Sequence, residues 1–402
     1  MHIGFYALGW PAHEFTSGIV TYIHNLRAEL IRQGHRVSIF ARRVGQSNRD
    51  SGVHRVEATV KYEILSRLFR LIPWKPYEII GLGGCIAAKV NEVHRTDPLD
   101  VLEMEESFGW SADVQMLTKL PIVVKLHGPA FLTLPNDSNR SSFDRLRIEL
   151  EGRALRQMRA IVSPSQCTLR DTMTCYGLDP PIRRVIPNPV ATEGDLRPWE
   201  LEECDRKTIL FVGRFDTPKG GDTVLIVFRK LLEMDSDLKL IFVGPDRGLT
   251  SSDGSTIRFE EFRNSLFTEA QRRNITYLGQ LGRSDILELR RRAYVTLVTS
   301  RWESQGYTAL EAMIQGCPVV ANDAGGLSET VEDGVTGLLA RSNDIEDLCR
   351  KVMSLMNDPV RARQLGANAR RFVAERHAAR KLADEAVEVY RQAISMAKAG
   401  SR

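Results

Sequence analysis

A chain of 402 residues exceeds one ordinary hydrophobic core, so two domains of roughly 150–200 residues are expected. Its 43% hydrophobic and 26% charged residues are those of a soluble globular protein, and no apolar run reaches the roughly 18–20 residues that span a bilayer. The net charge of +4 is small and no nucleic-acid motif is visible, which argues against nucleic-acid partners.

The charge is unevenly spread. Residues 1–190 hold 24 Lys and Arg against 19 Asp and Glu, whereas the remainder holds 31 against 32. Within the basic half, SRLFRLIPWKPYEIIGLG (66–83) mixes Arg67, Arg70 and Lys75 with Trp74, Tyr77 and aliphatic residues. Such a segment can lie on an anionic membrane surface, and it equally fits a helix and turn packed on the core with its charges in water.

The opening MHIGFYALGW reads as a buried strand and lacks the basic n-region and small-residue cleavage site of a signal peptide. A cytoplasmic chain is therefore expected, with the inner membrane face as a candidate address. The six cysteines, Cys85, Cys167, Cys175, Cys204, Cys317 and Cys349, form no C-x-x-C pair and have no His at zinc spacing. Reduced thiols are expected, with neither a metal site nor a disulfide framework.

In chain order, strands and amphipathic helices alternate. Residues 2–8 form the first predicted strand, and helical spacing follows at Ile19, Tyr22, Ile23, Leu26 and Leu30 up to Gly34. Further strands are predicted at 35–41, 101–104, 121–127, 160–165 and 183–188. Residues 189–206 are polar and acidic and read as a linker. A second series follows at 207–214, 238–244, 275–279, 294–300, 317–322 and 336–340, and from about 343 the chain reads as helix. The predicted fold class is α/β, with two doubly wound Rossmann-like domains of parallel strands. They are a first domain at 1–188 and a second at 207–375, facing a central cleft, with a last helix (376–402) crossing back toward the first. Ligands of such sheets bind beyond the carboxyl ends of the strands.

The G-x-G-x-x-G and P-loop fingerprints are absent, which disfavours a nicotinamide enzyme or an NTPase. GRFDTPKGG (213–221) instead places Arg214 and Lys219 in one turn between a strand and a helix. Two cations and backbone N–H groups suit a diphosphate, though solvated loop charges look the same in sequence. In SRWESQGYTALEAMIQGCPVV (300–320), Glu303 precedes a predicted helix and Glu311 lies in its second turn. The helix N-terminus between them offers unpaired N–H groups and partial positive charge. Carboxylates accept from sugar hydroxyls, so the two acids can flank a diphosphate, as in a nucleotide sugar. A helix cap and an exposed helical residue give the same spacing.

Taken together these segments resemble the retaining glycosyltransferases of family 4, with the GT-B architecture. The resemblance runs in order through TSGIVTYIHNLRAELIRQGHRV (16–37), VKLHGP (124–129), IVSPSQ (161–166), VIPNPV (185–190), VGRFDTPKGG (212–221), FVGP (242–245), YLGQL (277–281) and residues 300–339, which hold the family's E-x7-E pattern. It implies a hexosyl transfer from a nucleotide-diphosphate sugar to an acceptor hydroxyl in bacterial glycan, glycolipid or polysaccharide synthesis. UDP is the favoured base and GDP-mannose the second candidate.

The implied roles are as follows. Arg214 and Lys219 hold the diphosphate. Glu303 and His127 meet the transferred sugar, and Glu311 accepts from the ribose. The backbone of Gly306, Tyr307 and Thr308 contacts phosphate and sugar, Gly18 lies close to the pyrophosphate, and Leu281 lines the base. Ser304 and Gln305 stand where the family often has Gly-Phe, which bears on sugar identity. No metal is expected, because the two cations can replace a divalent ion. The acceptor is expected to be a sugar, a lipid-linked glycan or a small molecule, and peripheral membrane contact is expected to run through the first domain. A nucleotide-sugar epimerase of the same fold and a non-catalytic nucleotide-sugar binder are the competing readings. Glu329 reads most simply as a capping acid, while His13 and Glu14 sit in a loop that can touch the acceptor or simply be polar.

Overall fold

The computed structural model of the protein describes residues 1–15, 17–57, 81–134, 140–191, 196–250 and 255–400. The chain divides into two compact units, Met1–Pro189 together with Ala379–Arg402, and Val190–Ala378.

Among the described residues, the first unit holds seven strands: β1 (His2–Trp10), β2 (Arg36–Val44), β3 (Val53–Arg55), β4 (Val101–Glu105), β5 (Ile122–Lys125), β6 (Ala160–Ser163) and β7 (Ile182–Val185). They form one parallel sheet in the order β3-β2-β1-β4-β5-β6-β7. Parallel strands are covered on both faces, which is why β1, β5 and β6 read as largely apolar runs, whereas β4 is buried although it carries Glu103 and Glu105. The helix Gly18–Arg32 starts at Ser17, whose hydroxyl accepts from Val20 N–H at 3.2 Å. It buries Val20, Tyr22, Ile23, Leu26 and Leu30, the stripe that the sequence spacing anticipates.

The last helix, Ala379–Gly400, belongs to this same unit. Tyr390 on that helix is fully buried and its O–H donates to the Glu103 carboxylate of β4 at 2.7 Å. Gln33 donates to Asp384 at 2.8 Å. The basic amphipathic segment 66–83 falls outside the described residues up to 80. Its last residues lead into the helix Leu82–Thr96. Among the described residues no helix is long and apolar enough to cross a membrane.

The second unit holds β8 (Asp205–Val212), β9 (Lys239–Val243), a short antiparallel pair β10 (Leu249–Thr250) and β11 (Thr256–Ile257), β12 (Ile275–Tyr277), β13 (Ala293–Val298), β14 (Val319–Asn322) and β15 (Leu338–Ala340). Its main sheet is parallel, in the order β12-β9-β8-β13-β14-β15. Phe211, Phe215, Phe242 and Phe259 lie at the centre of its core, with ring centroids 4.5–6.1 Å apart. At that spacing tilted and edge-to-face rings add to the area that they bury.

The expected linker 189–206 needs correction. Residues 196–204 pack onto the second unit, and β8 already opens at Asp205. Trp199 is the cause: it is buried, its indole N–H donates to Ala293 O at 2.7 Å, and its amide donates to Gln315 O at 2.7 Å. One large aromatic side chain with its polar edge satisfied outweighs the polar composition around it.

Candidate functional site

In the second unit the strand order reverses at β8, since β9 lies on one side of it and β13 on the other. The loops leaving the carboxyl ends of β8 and β13 therefore emerge side by side, at the position where open α/β sheets bind ligands. These are residues 213–220 and 299–306, and they carry Arg214, Lys219 and Glu303.

The two loops are fastened together. Arg301 donates both arms of its guanidinium to Asp222, at 2.9 and 2.6 Å, and its amide donates to Pro218 O at 3.0 Å. Thr299 donates through its hydroxyl to Gly220 O at 2.8 Å. Gly220 has φ +68°, and a Cβ there would stand 2.1 Å from Thr299 O, so the close approach requires glycine. Asp216 organises the cations: one carboxylate oxygen accepts from Arg214 Nε and the other from Lys219 N–H at 2.9 Å. Lys219 Nζ then reaches Glu303 Oε1 at 2.5 Å, and Ser300 Oγ donates to the same oxygen at 2.7 Å. The side chains of Arg214 and Lys219 are 45% and 30% exposed and that of Glu303 is 14% exposed, so the cations face outward and the acid is held from within.

Glu303 also fixes the turn into the helix Tyr307–Gln315: its carbonyl accepts from Gly326 N–H at 2.7 Å. Gly306 sits at the N-cap with φ +87°, and a Cβ there would meet Leu327 Cδ2 at 2.5 Å. Gln305 is buried, and its carbonyl accepts from Thr330 Oγ1 at 2.6 Å. Ser304, Tyr307 and Thr308 are half-buried around this turn. The first amides of a helix have no acceptor within the helix, and the dipole adds partial positive charge there. One turn further, Glu311 Oε2 accepts from Arg290 Nη2 at 2.8 Å. Leu281 packs its side chain on Leu210, Val243 and Ala293, which leaves its backbone as the part that can face a ligand.

In the first unit His127 follows β5 by two residues, and its ring meets Tyr22 edge-on at 5.1 Å between centroids. Burial, helped by the nearby Lys125 ammonium, pushes His127 down from 6.5 to about 3, so the imidazole is neutral near pH 7. Its amide donates to both oxygens of Glu106, at 3.1 and 3.0 Å, and the Gly128 amide donates to Glu106 Oε1 at 2.7 Å. Glu106 is buried, and burial pushes its carboxyl up while these amides pull it down. Gly18 is exposed at the start of its helix. His13 and Glu14 both meet Ser47. Glu329 lies in the short helix Leu327–Thr330.

Arg214, Lys219, Glu303 and the Gly306 turn thus come together, and Glu311 lies on the helix that the turn begins. Asp216, Ser300, Arg290 and Glu106 are further residues, each bonded to a candidate one, that the sequence motifs do not single out. Asp216 carried a signal, as an acid between two cations in one turn. Glu106 and Arg290 carried none, because their partners lie 21 residues away.

Residues 195–372 match the family described as glycosyl transferases group 1, and residues 16–193 match glycosyltransferase family 4. Among similar curated proteins, a D-inositol 3-phosphate glycosyltransferase of Rhodococcus jostii is 27% identical, over 96% of this chain and 87% of that protein. An N-acetyl-alpha-D-glucosaminyl L-malate synthase of Bacillus anthracis is 22% identical, over 82% and 83%. An uncharacterised protein of the Klebsiella pneumoniae cps region is 29% identical, but the match covers only 43% of this chain and 44% of that protein. Of solved structures, a sucrose-phosphate synthase from Thermosynechococcus elongatus aligns with a TM-score of 0.76 at 20% identity, over 98% and 99% of the two chains. Anabaena HepE, in complex with UDP-glucose, aligns at 0.69 and 18% identity, over 98% and 100%. At these identities the structural likeness is one of fold.

Proposed function

Because this chain belongs to the glycosyl transferases group 1 and glycosyltransferase family 4, and is a glycosyltransferase of GT-B fold, we propose that it moves a hexose from a nucleotide-diphosphate sugar to an acceptor hydroxyl with retention at the anomeric carbon. The carrying observation is the junction of Arg214, Lys219, Asp216 and Glu303 beside the Gly306 turn. It sets two cations and a helix N-terminus next to a carboxylate, an arrangement that suits a sugar diphosphate. UDP-sugars are the favoured donors, in keeping with the UDP-glucose bound by HepE.

In this reading the diphosphate lies on the first turn of the helix Tyr307–Gln315, with Arg214 and Lys219 at its oxygens. Glu303 accepts from a hydroxyl of the transferred sugar and Glu311 from the ribose. Ser304 borders the sugar side while the buried Gln305 supports the turn behind it, Tyr307 and Thr308 contact phosphate through their amides, and the Leu281 backbone borders the base. The bond from the anomeric carbon to the β-phosphate oxygen breaks as the bond to the acceptor oxygen forms. The acceptor proton passes to the departing phosphate. Negative charge grows on that phosphate, and preorganised cations and amides stabilise it without reorganising. Arg214 and Lys219 fill the charge role of a divalent ion, so EDTA is expected to leave turnover unchanged. The acceptor belongs to glycan or glycolipid synthesis, with a lipid-linked glycan as the first candidate.

The test is turnover with UDP-, GDP- and ADP-sugars, following nucleoside diphosphate release and the anomeric configuration of any product. Release from one base, with an α-sugar donor giving an α-linked product, supports the proposal. An isomerised sugar nucleotide without release contradicts it in favour of an epimerase, and binding without turnover contradicts it in favour of a binder.

A further inference from the structure

Arg290 is the largest fully buried side chain among the described residues, 1% exposed, on the helix Arg283–Arg292. Its Nη2 donates to Glu311 at 2.8 Å, and its Nε is buried with no hydrogen-bond partner among the described residues. Glu311 itself is 28% exposed. The pair is therefore asymmetric: the cation is sealed inside while one edge of the carboxylate remains reachable. An apolar side chain of similar volume serves stability about as well as a buried charge does, so packing alone does not account for a guanidinium here. What the guanidinium supplies is a fixed carboxylate with one oxygen occupied and the other left to accept.

We infer that Arg290 is a positioning residue for nucleotide recognition: it holds Glu311 so that the carboxylate reads the ribose hydroxyls of the donor. The inference rests on the reading of Glu311 as the ribose acceptor. A carboxylate that swings freely accepts hydroxyl hydrogen bonds at an entropic cost, whereas one clamped from behind is preorganised. Discrimination between ribose and 2′-deoxyribose is the property that this clamp controls. Affinity for the diphosphate is carried elsewhere, by Arg214, Lys219 and the helix N-terminus.

The experiment measures dissociation constants for UDP with 2′-deoxy-UDP, GDP with 2′-deoxy-GDP, and ADP with 2′-deoxy-ADP, keeping the pair whose ribo form binds best. The wild type is expected to favour the ribo form by roughly 10- to 100-fold, as for a hydrogen bond to a charged group. Glu311→Gln should collapse that ratio. Arg290→Met should reduce it to a few-fold while leaving the affinity for the deoxy form unchanged, and Arg290→Lys should restore part of it. If Arg290→Met does not fold, Arg290→Lys against wild type carries the same comparison. A wild-type ratio in the Arg290 variants together with a collapsed ratio in Glu311→Gln overturns the inference and leaves the ribose reading standing. A ratio unchanged in Glu311→Gln, or no binding by the wild type, overturns the ribose reading and the inference with it.

Discussion

Lys219 Nζ lies 2.5 Å from Glu303 Oε1, joining the loop after β8 to the loop after β13. The contact ties the residue assigned to the diphosphate to the residue assigned to the sugar. In the proposed reading, the group assigned to the departing charge and the group assigned to the transferred sugar share one junction, to which Ser300 and Asp216 also bond.

Replacing either cation should cost turnover more than it costs the fold. Lys219→Ala and Arg214→Ala remove one preorganised donor each, worth roughly 2–4 kcal/mol of barrier, or about 30- to 1000-fold in kcat. Both side chains are partly exposed, so thermal midpoints should stay close to wild type. Steady-state kinetics beside thermal unfolding checks this. Near-normal kcat in either variant removes that residue from the assignment.

The Arg290–Glu311 pair should respond asymmetrically to truncation. Glu311→Ala strands a buried guanidinium and should lower stability by roughly 1–3 kcal/mol, below the range for a fully buried pair because Glu311 is partly solvated. Arg290→Met leaves a carboxylate that water can reach and should be close to neutral. Denaturant unfolding of both variants decides it, and equal losses contradict the asymmetry.

Glu106 should govern the turn that carries His127. In Glu106→Gln the side chain offers one acceptor oxygen, and its NH2 faces amides that need acceptors. Hydrogen bonds to a charged group are worth about 1.5–3 kcal/mol, so exchange of the His127 and Gly128 amides should accelerate roughly 10- to 100-fold. Amides of the helix Tyr307–Gln315, in the other unit, should keep their rates. Unchanged exchange at both His127 and Gly128 contradicts the clamp.

The α/β alternation, the strands that line each sheet and the E-x7-E segment were legible because they are periodic or local. Buried parallel strands announce themselves as apolar runs, and a loop between strand and helix announces its charges. What escaped depends on chain segments meeting. Glu106 is one of two adjacent acids in EMEES, and nothing local says that it will receive amides of the β5 turn. Arg290 sits within a run of three arginines that reads as a solvated face, yet burial of the helix on β13 and on the helix Tyr307–Gln315 draws this one inside. β3, with three residues, is too short to show alternation. Trp199 hid in acidic surroundings.

Stability of the first unit should fall as pH rises through the window of Glu151. Burial, with Glu106 nearby, lifts Glu151 from 4.5 to about 8, so between those values the folded chain keeps a proton that the unfolded chain releases. The sign is a loss of stability with rising pH, levelling off above about 8. Lys125 acts oppositely: burial lowers it from 10.5 to about 7, and stability rises with pH between those values. Glu151→Gln should flatten the decline in thermal midpoint between about pH 5 and about pH 8. A decline as steep as wild type contradicts the assignment.

The most direct measurement is thermal unfolding of the wild type and Lys219→Ala with UDP, GDP and ADP, each with and without EDTA. Ligand at about 100-fold over its dissociation constant adds roughly 2.7 kcal/mol, a shift of several degrees for a chain of this size. A rise with one base is expected, indifferent to EDTA and much reduced in Lys219→Ala. No rise with any base, or an equal rise in the variant, contradicts a nucleotide-sugar site built on Lys219 and Glu303.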